Sequence, residues 1–411
     1  MWENLVRKRL ARLPPAAASA LAIVLPGGER IGAANASVEL GLNSLRSLLH
    51  FGQGDIGRLA GEIVEGSIRL DGPMRQVAAI SATLLDGNPA GAPAKPRRHA
   101  WRSRWRHRRA ADARHIQHHY DVSDDFYALW LDPRRVYSCG YWPAGTATLA
   151  QAQEAKLDLV CRKLRLRPGE RFLDIGAGWG GLLLWAAEHY GVQATGITLS
   201  KNQHAHVNAL IASRGLGDRV TMHLLDYRDL PADTPYDKIA SVGMFEHVGR
   251  ALLPEYFAKI RQLLRPGGLL LNHGITAGGT RNAQLGAGIG DFVERYIFPG
   301  GELLHVSHVL RVMAEAGLEG LDTENLRPHY ARTLWAWSDA LEARLDAAAA
   351  FCDDRTLRAY RLYLAVSAIG FEEGWMALHQ TLASHPGPTP DDADLPGAGA
   401  DYPFNRSYMY V

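Results

Sequence analysis

The stretch Arg171 to Gly181, RFLDIGAGWGG, constrains this chain more than any other. Phe172, Leu173 and Ile175 read as the apolar end of a buried strand. Gly176, Gly178 and Gly180 then break it, and an apolar helix, 182–189, follows at once. Glycine at these steps permits positive φ and lets a ligand lie against bare backbone. The following helix N-terminus offers unpaired N–H groups and a partial positive charge. Asp174, at the strand end, can accept from a cationic or hydroxyl-bearing ligand. The GxGxG spacing, with an acid two residues before the first glycine, points to S-adenosylmethionine (SAM) rather than a dinucleotide. SAM has no pyrophosphate to seat on a helix. It has an amino-acid end that needs backbone polar groups and a carboxylate.

The chain around this turn repeats helix and strand signals. Strands are expected at 193–199, 219–225, 236–242 and 269–273, and helices at 150–164, 201–214, 254–264 and 306–316. Ser200 is placed to cap the second of these helices. Repeated βα units imply a doubly wound parallel sheet covered on both faces, with ligands at the carboxyl ends of its strands. Further on, 333–350 is expected to be helical and 351–382 mostly so. Residues 276–290, TAGGTRNAQLGAGIG, are loose and glycine-rich, and with the apolar 291–301 they read as a lid beside an active site.

Residues 1–85 form a first, small α/β unit, with strands at 21–25 and 38–40 and helices at 42–51 and 76–85. GEIVEGSIRL (61–70) alternates polar and apolar residues as a half-buried strand pair does. No catalytic residue types cluster in this unit. Residues 86–110 are a linker: DGNPAGAPAKP, then RRHAWRSRWRHRR (97–109), without an acid and with Trp101 and Trp105 on one helical face. This segment fits an anionic membrane surface or a plain solvated linker; no groove-reading motif accompanies it to favour nucleic acid. The catalytic unit is expected at 111–383 and a Pro/Gly-rich tail at 384–411.

Composition narrows the setting. A hydrophobic share of 47% and a charged share of 21% are those of a globular protein, and the net charge of +2 says little by itself. Cys139, Cys161 and Cys352 are widely spaced, which indicates neither a disulfide framework nor a zinc site. The apolar run near the start, bracketed by Pro14, Pro15 and Pro26, holds about ten residues, too few to cross a bilayer. It reads as a helix then a strand, so no export is expected and a cytoplasmic setting fits.

Several motifs in fixed order carry a family likeness: HHYDVSDDFYALWLDPRRVYSCGYW (118–142), DIGAGWGG, GITLSKNQ (196–203), DYRDL (226–230), GMFEHVG (243–249) and YIFPGG (296–301). Together they resemble the cyclopropane-fatty-acyl-phospholipid synthases, relatives of the mycolic acid cyclopropane synthases, over about residues 111–382. The resemblance implies a SAM-dependent methyltransferase of Rossmann-like fold, preceded by a small lipid-binding domain whose presence favours a phospholipid substrate. It implies a homodimer working at the inner face of the membrane on unsaturated acyl chains. The methyl carbon of SAM becomes the bridge of a cyclopropane ring, and a bound bicarbonate serves as base.

For SAM the resemblance implies Tyr137, Ser138, Asp174, Gly176, Gly178, Thr198, Gln203, Tyr227 and Arg228. Thr198 and Gln203 stand in for the acid that often follows the second strand. For bicarbonate it implies Cys139, Glu246, His273, Ile275 and Tyr330. The Cys139 and Ile275 N–H groups, the histidine and the tyrosine hydroxyl would donate to the anion, while Glu246 accepts its O–H. Tyr296, Phe298 and Trp335 are candidate neighbours of the acyl chain. His247 reads as an ordinary buried histidine outside the site, and no metal site is indicated. YIFPGG is followed by Leu303-Leu304-His305 where the family commonly has Leu-Pro-Ser, which bears on the acyl position rather than the reaction.

Overall fold

The computed structural model describes residues 2–85, 87–91, 123–388, 397–400, 402 and 405–410. The basic segment 97–109, and the first residues of the motif at 118–142, lie outside them. Strands β1 (Leu21–Val24), β2 (Arg30–Gly32), β3 (Val38–Leu42) and β4 (Ile68–Asp71) form a small sheet in the order β2-β1-β3-β4. The expected strand pair at 61–70 is instead the end of a helix, Ile56–Val64, followed by β4. Ile56, Leu59, Ala60, Ile63 and Val64 recur at helical spacing and are buried, and Asp55 caps the helix by accepting from the Arg58 N–H. The helical period over nine residues outweighs a short local alternation.

The larger sheet holds β5 (Arg171–Ile175), β6 (Gln193–Thr198), β7 (Val220–Leu224), β8 (Tyr236–Val242), β9 (Leu264–Ala277), β10 (Glu319–Asn325) and β11 (Met376–Ser384). Their order is β10-β11-β9-β8-β5-β6-β7. The pairs from β9 through β8, β5, β6 and β7 are parallel, whereas β11 runs antiparallel to both its neighbours. This is the doubly wound sheet expected, and the chain reverses its winding direction between β5 and β8. A crevice opens at the carboxyl ends of such a pair. The glycine turn after β5 and Gly243 after β8 lie there.

Three differences from the sequence expectation concern the far edge of the sheet. Residues 351–382 are not helical throughout: a helix covers Asp354–Glu372 and β11 follows. β11 is buried along most of its length beside β9, so it lacks the alternation that marks a half-exposed strand. β10 was not anticipated, and the helix expected from 333 already begins at Arg327, with Pro328 in its first turn. Residues 265–268, RPGG, form a bulge inside β9: the register against β8 slips between Tyr236 and Lys238.

The small unit packs on the catalytic one through two helices. Ile56–Val64 lies against the helix Ile289–Tyr296, and Met74–Thr83 against Asp354–Glu372. One apolar core joins Leu59, Ile63 and Ala78 of the small unit to Phe292, Leu364 and Ala368 of the other. Residues at the chain's end, Ser407–Met409, pack on the helix Leu149–Lys163, with Arg406 paired to Asp322.

Candidate active site

Two cavities adjoin at the carboxyl ends of β5, β8 and β9. The smaller, about 160 Å³, is lined by Tyr137, Ser138, Asp174, Gly176, Gly178, Thr198, Gln203, Tyr227 and Arg228, among others. All nine positions singled out for SAM thus line one space. Gly176 and Gly178 hold φ of +79° and +56°. A side chain at either would be strained in that conformation, and a Cβ on Gly176 would sit 3.2 Å from Met244.

Asp174 is 2% exposed and has no hydrogen-bond partner among the described residues; burial pushes its carboxyl up to about 7. Thr198 Oγ1 donates to Gln203 Oε1 at 2.7 Å, which leaves the Gln203 amide N–H₂ to donate elsewhere. Ser200 accepts from the Gln203 N–H at 3.4 Å and caps the helix Lys201–Ser213, as expected. Arg228 is locked by Asp226, Nε to Oδ1 at 2.8 Å and a second bond to Oδ2 at 2.5 Å. Tyr227 packs edge-on against Tyr256.

The larger cavity, about 940 Å³, is walled by Cys139, Glu246, His273, Ile275 and Tyr330 and by aromatic and aliphatic side chains including Phe292, Phe298, Tyr363 and Phe371. All five positions expected to converge line this one cavity. Tyr137, Ser138, Gly243 and His247 line both cavities and so form the partition between them. His247, left outside the site on sequence grounds, is therefore part of it.

Glu246 is buried, and its carboxyl is pushed up to about 7 by desolvation. Its Oε1 accepts the Ile275 N–H at 2.7 Å, and Oε2 is buried without a partner among the described residues. This corrects one expected role. The Ile275 N–H is spent on Glu246 rather than offered to an anion, so Ile275 positions the carboxylate.

His273 is 1% exposed, and burial holds its imidazole well below the usual histidine range, hence neutral. Gln380, its register partner on β11, donates Nε2–H to His273 Nδ1 at 3.1 Å. The ring proton therefore sits on Nε2, and that N–H is buried without an acceptor among the described residues. Burial also pushes the Cys139 thiol far up, away from a reactive thiolate. Its backbone N–H has no acceptor among the described residues. A neutral imidazole N–H, an amide N–H and one carboxylate oxygen without a partner among the described residues suit a small oxyanion that itself carries a proton.

Of the aromatics expected near an acyl chain, Phe298 lines the cavity but Tyr296 and Trp335 do not. Tyr296 turns to the small unit, donating its hydroxyl to Glu65 at 2.9 Å. Trp335 donates to Glu372 at 2.8 Å beneath the Arg75 guanidinium. Each has a polar tip that finds its partner outside the cavity. The segment 276–290 does wall the cavity. It is tied to the small unit by Gly57 N–H to Ala287 O (2.9 Å) and to residue 89 by Gly286 N–H to Pro89 O (3.0 Å). Lys156, Asp226 and Gln380 escaped the sequence reading. A lysine in a helix and an acid beside an arginine usually face water, and nothing in the chain marked β11 as a strand.

Comparison with known proteins gives this geometry its family. The model of the family described as mycolic acid cyclopropane synthetase matches residues 107–381. The chain belongs to that family. A "probable fatty acid methyltransferase" of Pseudomonas putida is 44% identical over 353 residues, 86% of each chain. Among solved structures, the cyclopropane synthase MmaA2 from Mycobacterium tuberculosis aligns with a TM-score of 0.63 at 35% identity, covering 66% of this chain and 98% of that one. The mycolic acid cyclopropane synthase CmaA1, complexed with SAH and CTAB, aligns at 0.62 and 36%, with the same coverage. The fold is that of the SAM-dependent methyltransferases, and the chain is a methyltransferase of the cyclopropane synthase family.

Proposed function

We propose that the chain places the methyl carbon of SAM across a cis double bond of an unsaturated phospholipid acyl chain and closes a cyclopropane ring, with bicarbonate as base. The observation that carries this reading is the meeting of two cavities at Tyr137 and Ser138, one polar around Asp174, one apolar and walled by Glu246 and His273. SAM supplies an electrophilic methyl group. Asp174, Gly176, Gly178, Thr198, Gln203, Tyr137, Ser138, Tyr227 and Arg228 are the residues that would hold it.

An isolated alkene is a poor nucleophile, so alignment in a dry space lowers the barrier most; the larger cavity suits that task. The faces of Tyr330, Phe371 and Phe298 can stabilise positive charge on the acyl chain without attacking it. The neutral Cys139 thiol avoids alkylation for the same reason. Glu246 Oε2 is free to accept the O–H of bicarbonate, and His273 Nε2–H and the Cys139 N–H to donate to its oxygens. A bicarbonate so held keeps one basic oxygen for the proton lost from the transferred carbon.

The small unit and the basic segment 97–109 would bring the chain to the inner membrane face, and a homodimer is the expected assembly. No helix among the described residues is long and apolar enough to cross a membrane.

A second reading leaves a methyl- or methylene-branched chain through proton loss elsewhere on the same cation. It is favoured by the name of the P. putida relative, whose match reaches beyond the catalytic unit. Gas chromatography with mass spectrometry of lipids from cells expressing the chain separates the readings. Ring-bearing acyl chains support the first, branched ones the second. Unaltered lipids would count against both and point to a lipid-binding protein without turnover.

A further inference from the structure

Lys156 carries a buried charge that the proposed reaction does not use. It sits on the helix Leu149–Lys163, 2% exposed, and lines the smaller cavity but not the larger one. Its ammonium donates to Ser138 Oγ at 2.9 Å, and no carboxylate of the described residues lies within ion-pair distance. Asp132, a carboxylate whose charge reaches Lys156, is occupied by the N–H groups of Val136 (2.8 Å) and Arg134 (3.0 Å). One helical turn earlier Gln153 donates to the carbonyls of Val136 and Ser138, at 3.3 and 2.8 Å. The helix thus fixes residues 136–138 and aims a cation at the same cavity. An ammonium has three protons to give, and a buried charge is tolerated when it is paired. Burial lowers Lys156 to about 8, as expected of a cation short of counter-charge.

We propose that Lys156 recognises the carboxylate of the donor's amino-acid end, with Ser138 as the second contact. This rests on the reading of the smaller cavity as the SAM site. An amino-acid end is a zwitterion, and the cavity offers one buried cation, Lys156, and one buried carboxylate, Asp174, to match it. A nucleoside thioether without that end has no use for Lys156, so the lysine distinguishes SAM and its demethylated product from bare adenosine thioethers.

Calorimetric titration of the full chain with S-adenosylhomocysteine and with 5′-methylthioadenosine, which lacks the amino-acid end, tests this. Lys156→Met should weaken S-adenosylhomocysteine by about tenfold or more, the loss of a charge-assisted contact, and leave 5′-methylthioadenosine within about twofold. Should that variant fail to fold, Lys156→Gln, which keeps a polar donor without the charge, carries the same comparison. An equal loss for both ligands, or no loss for S-adenosylhomocysteine, overturns the role of Lys156. Wild-type protein that binds neither ligand would instead overturn the assignment of the cavity to SAM.

Discussion

The two cavities differ in how they are built. The smaller one rests mainly on β5 to β8 and the turns that follow them, elements contiguous in the chain and ordered by the sheet, with Tyr137 and Ser138 added from before β5. The larger one is assembled from distant pieces: residue 139 before β5, Glu246 after β8, His273 and Ile275 on β9, Tyr330 on a late helix, and the segment 276–290. The small unit clamps that segment through a close glycine contact: a Cβ on Gly57 would lie 1.9 Å from Gly288 O. Binding of a common cofactor draws on a regular scaffold, whereas the acyl space depends on long-range packing. Damage to one cavity should therefore spare the other.

Glu246→Gln is the strongest way to test that separation. Turnover is expected to fall by about 10²–10⁴, while S-adenosylhomocysteine affinity, read by calorimetry, stays unchanged; parallel losses would tie the two cavities together. The same variant changes the pH dependence of folding. A carboxyl raised from 4.5 to about 7 keeps its proton in the folded state over a range where the unfolded chain has lost it. Its contribution to stability is complete below about pH 4.5, declines as pH rises, and levels off above about 7. Wild type should thus lose up to about 3 kcal/mol relative to Glu246→Gln across that window, read from denaturant melts at fixed pH; identical slopes would contradict a buried, proton-holding Glu246.

Gly57→Ala should cost about 1–3 kcal/mol by overpacking and reduce turnover on lipid vesicles more than cofactor affinity. Equal activity in that variant would show the clamp to be idle. Asp174→Asn should weaken S-adenosylhomocysteine by roughly tenfold without altering which acyl chains are modified. A changed acyl preference would mean that the partition at Tyr137 and Ser138 does not insulate the two spaces.

The same contrast explains what could be read from the chain. β5, β6 and β8 were legible because each is a short run bounded by turn residues and followed by a helix. Seven of the nine cofactor positions fall at or just after the ends of β5, β6 and β7, so the strands lead close to them, whereas Tyr137 and Ser138, before β5, came only with the family motif. The five positions around Glu246 were reachable only through the family motifs, since their spacing from 139 to 330 has no local signature. β11 was hidden by burial, and with it Gln380, whose hydrogen bond sets the His273 tautomer. Tyr296 and Trp335 were misplaced because an aromatic's direction depends on where its polar tip finds a partner. His247 was passed over because adjacent Glu and His side chains normally diverge, and here a short 3₁₀ turn, Phe245–His247, brings both to the cavities.

In the proposed reaction, a base in the larger cavity removes one hydrogen from the carbon delivered by the smaller one. Purified protein incubated with SAM carrying a trideuterated methyl group and vesicles of cis-unsaturated phospholipid addresses it directly, with mass spectrometry of the released acyl chains. Two of the three deuterons retained, in a product that chromatography identifies as a cyclopropane, is the expected result. Retention of all three, with hydrogen lost from the acyl chain instead, contradicts it.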